Sequence, residues 1–312
     1  MFKGLLILGG LIFILPAEIF GQRHVERHWN YDPMRKVEDD YDRELKWFPD
    51  FSGWAEFGKF AFEKDTSHEY HHQLGAVMEM ARWGNNSIGF STQVEFIYDP
   101  NNEIDFNPRS IFWEEGIVYT RDQGDHRLQL QYMHRCKHDI DNLELGHERV
   151  TINASLGSRW IMPNLEAFGG DLGFSPGLEV YTITYDRRLP SDYQHEGLSW
   201  YQLLGAFDVR FQWQESLTDD INYFAQGYGK ALLYGEGADE GEELDAFTRF
   251  DGYEETRFSG SLSTGLEIDG KAGNFRVGMR YEYLDDAAIN PDPEEGSLFS
   301  FYVQAFSPDA LF

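Results

Sequence analysis

The most restrictive feature of this sequence is an alternation of apolar and polar residues with a period of two, running from near Gly53 to Phe306. Successive side chains of a β-strand point to opposite faces, so this rhythm marks strands whose two faces meet different surroundings. Between Ile88 and Tyr98, the positions Ile88, Phe90, Val94, Phe96 and Tyr98 alternate with Gly89, Ser91, Gln93 and Glu95. Leu203, Phe207, Val209, Phe211 and Trp213 alternate with Gln202, Asp208, Arg210 and Gln212. Phe275, Val277, Met279, Tyr281 and Tyr283 alternate with Arg276, Gly278, Arg280 and Glu282. Such runs predict about twelve strands, near 53–62, 69–82, 87–98, 111–121, 126–136, 149–160, 177–187, 200–214, 221–234, 256–268, 273–284 and 297–306. Each is close to the length that crosses a bilayer obliquely.

The connections carry independent information. Links 83–86, 122–125, 215–220 and 269–272 are short and fall after every second strand, whereas 99–110, 137–148, 188–199, 235–255 and 285–296 are longer. Short turns on one side and long loops on the other are the pattern of a transmembrane barrel, and a soluble β-sandwich gives no reason for it. The link 161–176 is long where a short one is expected. The predicted fold class is therefore all-β, an antiparallel transmembrane β-barrel of about twelve strands. Asp208, Arg210, Arg276, Arg280 and Glu282 then line a wet lumen beside lipid-facing rings.

Composition supports this reading. The net charge of −28 argues against nucleic acid, because a phosphate backbone would be repelled. Aromatic residues make up 16% of an acidic chain, which argues against disorder and suits interfacial girdles. A single cysteine excludes a disulfide framework. Met1-Phe2-Lys3, followed by the apolar run from Gly4 to Pro16, has the form of a signal peptide over 1–21, which implies export. Residues 22–52 read as a charged periplasmic segment and 53–312 as the barrel, placing the chain in a bacterial outer membrane.

The densest polar constellation is Tyr132-Met-His-Arg-Cys-Lys-His-Asp-Ile-Asp-Asn142, at the outer end of the fifth strand. Parity puts Leu128, Leu130, Tyr132, His134 and Cys136 on the lipid-facing side. An imidazole and a thiol on one face are the parts of a base and a nucleophile. A turn at 122–125 would pair Trp113 with His134 and Glu115 with Tyr132, leaving Glu115 diagonal to His134 as a carboxylate that could orient the ring. The alternatives are interface packing, with Arg135 and Lys137 meeting anionic head groups, or a cation site formed by His134, His138, Asp139 and Asp141. The acidic loop from Gly235 to Glu255 could also attract a divalent cation, though it lacks the ordered spacing of a calcium loop.

With its leader, its strand rhythm and its terminal Phe312, the chain resembles bacterial outer-membrane β-barrel proteins over nearly its whole mature length. That resemblance implies the barrel-assembly machinery and outer-membrane lipids or lipopolysaccharide as partners. Locally, His134-Arg-Cys136 resembles the His-x-Ser pair of the lipid A 3-O-deacylases and outer-membrane phospholipases, with Cys136 in place of Ser and Glu115 matching only in role. It also resembles a His-x-Ser-x-His-x-x-Asp signature, aligning His134, Cys136, His138 and Asp141. Three functions follow as expectations: a barrel of unassigned role, an outer-leaflet lipid hydrolase, or a narrow solute channel.

Overall fold

A computed structural model describes residues 44–61, 69–98, 108–139, 148–189, 200–238, 252–284 and 296–307; the leader, most of the charged segment, the long links and Phe312 lie outside them. The strands are β1 (Lys46–Phe60), β2 (Tyr70–Trp83), β3 (Asn86–Tyr98), β4 (Pro108–Gln123), β5 (His126–Asp139), β6 (Glu148–Ala167), β7 (Gly170–Leu189), β8 (Trp200–Ser216), β9 (Ile221–Ala238), β10 (Tyr253–Ile268), β11 (Asn274–Leu284) and β12 (Gly296–Phe306). Each pairs antiparallel with its neighbour, and β1 pairs with β12 through Trp54↔Phe306 to Phe60↔Ser300, closing the barrel. Closure removes every sheet edge, the condition for placing strands in hydrocarbon.

Two expectations need correction. The segment 161–176 is not a link but the lower part of the β6–β7 hairpin, paired through Met162↔Phe174, Leu165↔Leu172 and Ala167↔Gly170. Its alternation is interrupted by a register shift between Met162 and Leu165, beside Pro163, which has no N–H for the ladder. The hairpin closes at Phe168 and Gly169 with φ of 55° and 84°, the left-handed pair of a two-residue turn, so the violation of loop alternation disappears. The turn between β4 and β5 is also shorter than expected: only Gly124 and Asp125 separate the strands, with Gln123 opposite His126.

The outer wall is apolar: Leu74, Ile117, Leu156, Leu178, Phe207 and Phe301 are exposed there. At the end carrying the short turns, rings form an interfacial band, with Trp83 near Tyr119, His126 stacked on Trp160 at 4.3 Å and Trp213 edge-on to Tyr223. Inside, the opposite parity buries charge. Apolar clusters pack towards both ends of the lumen: Trp54, Val77, Val118, Met133, Ile161 and Phe306 below, and Phe60, Ile97, Phe112 and Leu298 above.

Ion pairs line the lumen beside those clusters. Glu179 receives Arg135 at 2.7 Å and Lys230 at 2.9 Å, and Lys230 also donates to Tyr181 at 2.9 Å. Arg135 reaches Glu114 through Nε. Arg159 donates to Asp208 at 2.6 Å, and Arg210 lies 3.3 Å from the same carboxylate. Arg280 grips Glu56 with both terminal nitrogens, at 2.7 and 2.8 Å, and Arg276 donates to Glu267. Each buried charge named here has an opposite partner, which offsets the cost of removing it from water.

Candidate functional site on the outer wall

The register that pairs Glu114 with Arg135 inside the barrel pairs Glu115 with His134 outside it. Moving one residue along both strands changes the face and keeps the partnership. Glu115 is therefore directly opposite His134, not diagonal to it, and Trp113 is opposite Cys136. The correction brings the carboxylate closer than the sequence suggested: His134 Nδ1 lies 3.8 Å from Glu115 Oε1. Nδ1 is buried and has no hydrogen-bond partner among the described residues.

Depth follows from strand geometry. A tilt of about 40° gives about 2.5 Å of height per residue. Eight residues along β5 separate His134 from His126 in the lower aromatic band, which puts His134 about 20 Å up an apolar belt about 25 Å tall. Cys136 lies two residues higher on the same face, near the upper boundary of the belt. A carboxylate on this wall is costly without a partner, and His134 supplies one.

The remaining predicted residues separate into groups. Cys136 is outward in parity but only 7% exposed, so its thiol is shielded by neighbouring side chains. His138 is exposed on the outer wall, opposite Ile111. Asp139 ends β5 opposite Ser110, with its side chain outside the described residues, as is the whole of Asp141. Among the described residues no group of three His, Cys, Asp or Glu side chains is placed to hold a metal ion. The acidic part of the Gly235–Glu255 loop also falls largely outside them.

Asp208, Arg210, Arg276, Arg280 and Glu282 are all buried in the lumen. Asp208 and Arg210 join the ion pairs beside β7, whereas Arg276, Arg280 and Glu282 line a cavity with glutamines from the opposite wall. Two groups were missed by sequence reasoning. Glu179 and Lys230, which share a short ion pair, stand 51 positions apart in sequence. His71 is fully buried in the lumen, with Nδ1 3.7 Å from both Glu56 and Glu95. The parity of β2, which alternates Leu74 outward with Gln73 inward, was the available signal.

A closed antiparallel barrel with an apolar outer wall and an ion-paired interior is an outer-membrane β-barrel, and the outer membrane is where this chain resides. No protein-family model and no curated relative matches the sequence. Among solved structures the chain is similar to LpxR from Salmonella typhimurium, at 8% identity over 81% of this chain and 99% of that one, with a TM-score of 0.43. It is similar to the outer membrane phospholipase A from Escherichia coli at 10% identity, over 82% and 92% of the two chains, with a TM-score of 0.40. The NanC porin gives 11% identity over 82% and 98%, with a TM-score of 0.39. These likenesses concern the barrel architecture and carry nothing about chemistry.

Proposed function

We propose that this barrel works at its outer wall, as an acyl-ester hydrolase of outer-leaflet lipids, and that its lumen conducts no solute. The observation that carries the reading is the direct cross-strand pairing of Glu115 with His134 on the lipid-facing side, with Cys136 two residues away on the same face. Glu115, 3.8 Å from Nδ1, stabilises the imidazolium that forms in the reaction, and a small approach of the two side chains would orient the ring through Nδ1. Nε2 takes the thiol proton as Cys136 Sγ attacks the ester carbonyl, then gives it to the departing alcohol. Water, deprotonated by the same nitrogen, cleaves the thioester, releasing the fatty acid and restoring the thiol. Because Cys136 is shielded, substrate entry requires the side chains covering it to move aside.

Purified protein in vesicles of outer-membrane lipids should release free fatty acid, and His134→Ala should lower the rate about 100-fold or more, the contribution of a general base. Release that is absent in the wild type, or unchanged by the substitution, would overturn the reading.

The sealed lumen is tested separately. Buried ion pairs and apolar clusters occupy much of the described lumen, so planar bilayers containing the protein should show no steady conductance. Reproducible single-channel steps would restore the solute-channel reading.

A further inference from the structure

Not all of the lumen is filled by ion pairs. Between β1–β3 and the wall from β8 to β12 there is a cavity of about 50 Å³, into which five glutamines converge together with Trp54, Ser261 and Glu282. Two of the five, Gln73 on β2 and Gln93 on β3, are each 7% exposed. The Nε2 of each is buried and has no hydrogen-bond partner among the described residues. The cations around them are committed elsewhere: Arg280 to Glu56, and Arg276 to Glu267 and Gln226. Leaving a buried donor unmet is costly, so two such donors facing one cavity call for a ligand that accepts hydrogen bonds.

Size and charge restrict that ligand. A volume of about 50 Å³ is a third of the ~150 Å³ that takes up benzene, which is too small for a sugar or nucleotide. At ~10–15 Å³ per water it suits about three or four water molecules. The Glu282 carboxylate in the lining disfavours an anion, and Arg276 and Arg280 disfavour a cation. A neutral species that accepts from Gln73 and Gln93 and donates to Glu282 and Ser261 meets every condition. We propose that this cavity is a binding site for a cluster of ~3–4 water molecules anchored by Gln73 and Gln93, beside the Arg280–Glu56 and Arg276–Glu267 pairs.

Radiolytic hydroxyl labelling of the folded barrel in detergent, read by mass spectrometry, tests the site. Radicals generated from water held against Trp54 should label this 9% exposed ring well above the fully buried Phe112, which serves as the internal control. The double substitution Gln73→Leu and Gln93→Leu removes both donors and places apolar bulk in the cavity. Trp54 labelling should then fall several-fold while heat-modifiable gel mobility reports an intact barrel. Labelling of Trp54 at the Phe112 level in the wild type would overturn the proposal, as would labelling unchanged in a folded double variant. If the double variant does not fold, the wild-type comparison decides alone.

Discussion

Glu179→Leu should destabilise the barrel by about 3–5 kcal/mol, the cost of leaving a buried ion pair without one partner. Glu179 is the shared acceptor of Arg135 at 2.7 Å and Lys230 at 2.9 Å, and it also accepts from the Tyr181 hydroxyl at 3.1 Å. Its side chain and those of both cations are about 95% buried. Removing the carboxylate leaves Arg135 with Glu114, while Lys230 retains the Tyr181 hydroxyl and stands across from Asp208, a carboxylate that Arg159 and Arg210 already share. The loss therefore falls on a cation-rich network that has lost one of its carboxylates within a packed lumen. Urea titration of protein folded into vesicles would read the change as a lower midpoint at unchanged slope. The double change Glu179→Leu and Lys230→Met, which leaves Arg135 paired with Glu114, should recover most of the loss, since matched apolar groups are often neutral replacements for buried pairs. A single variant within about 0.5 kcal/mol of wild type would show that the lumen is wet enough there to solvate the lysine.

How far such a pair can be read from sequence depends on which coordinate of the sheet is asked for. Facing direction is a matter of parity, and parity survives small errors in turn length. His134, Cys136 and Glu115 share a face whether the β4–β5 turn has four residues or two. The partner does not survive such an error. Reading the turn as 122–125 shifts every pairing by two, which set Glu115 against Tyr132 and hid the direct Glu115–His134 pairing. Where period two itself breaks, both coordinates fail. Pro163 and the register shift beside it broke the rhythm of β6, and the lower part of the β6–β7 hairpin read as a link. Lumen networks are less legible still, because they join residues across strands that are distant in sequence, as Glu56 and Arg280 are at a separation of 224. Sequence patterning placed Arg280 on the lumen face but said nothing of Glu56, and only barrel closure, which sets β12 beside β1, brings the two together.

Leu156→Arg should cost about 2–4 kcal/mol, and this substitution most directly tests whether the outer wall faces lipid. Leu156 is 56% exposed on β6 and sits opposite Tyr132 on β5 and Val180 on β7. Tyr132 lies six residues above His126, about 15 Å up the belt, so Leu156 is close to the midplane, where a guanidinium is most expensive. On a water-facing barrel the same change at an exposed leucine would fall within about 0.5 kcal/mol. Phe168→Arg provides the depth control: Phe168 is 85% exposed at the tip of the β6–β7 turn, where an arginine should cost about 0–1 kcal/mol. Both can be measured by urea unfolding from vesicles. A large penalty at 156 with a small one at 168 is the expected profile of a belt that ends above that turn. Equal penalties would remove the depth scale that places Glu115, His134 and Cys136 near the upper boundary, and the hydrolase reading depends on that placement.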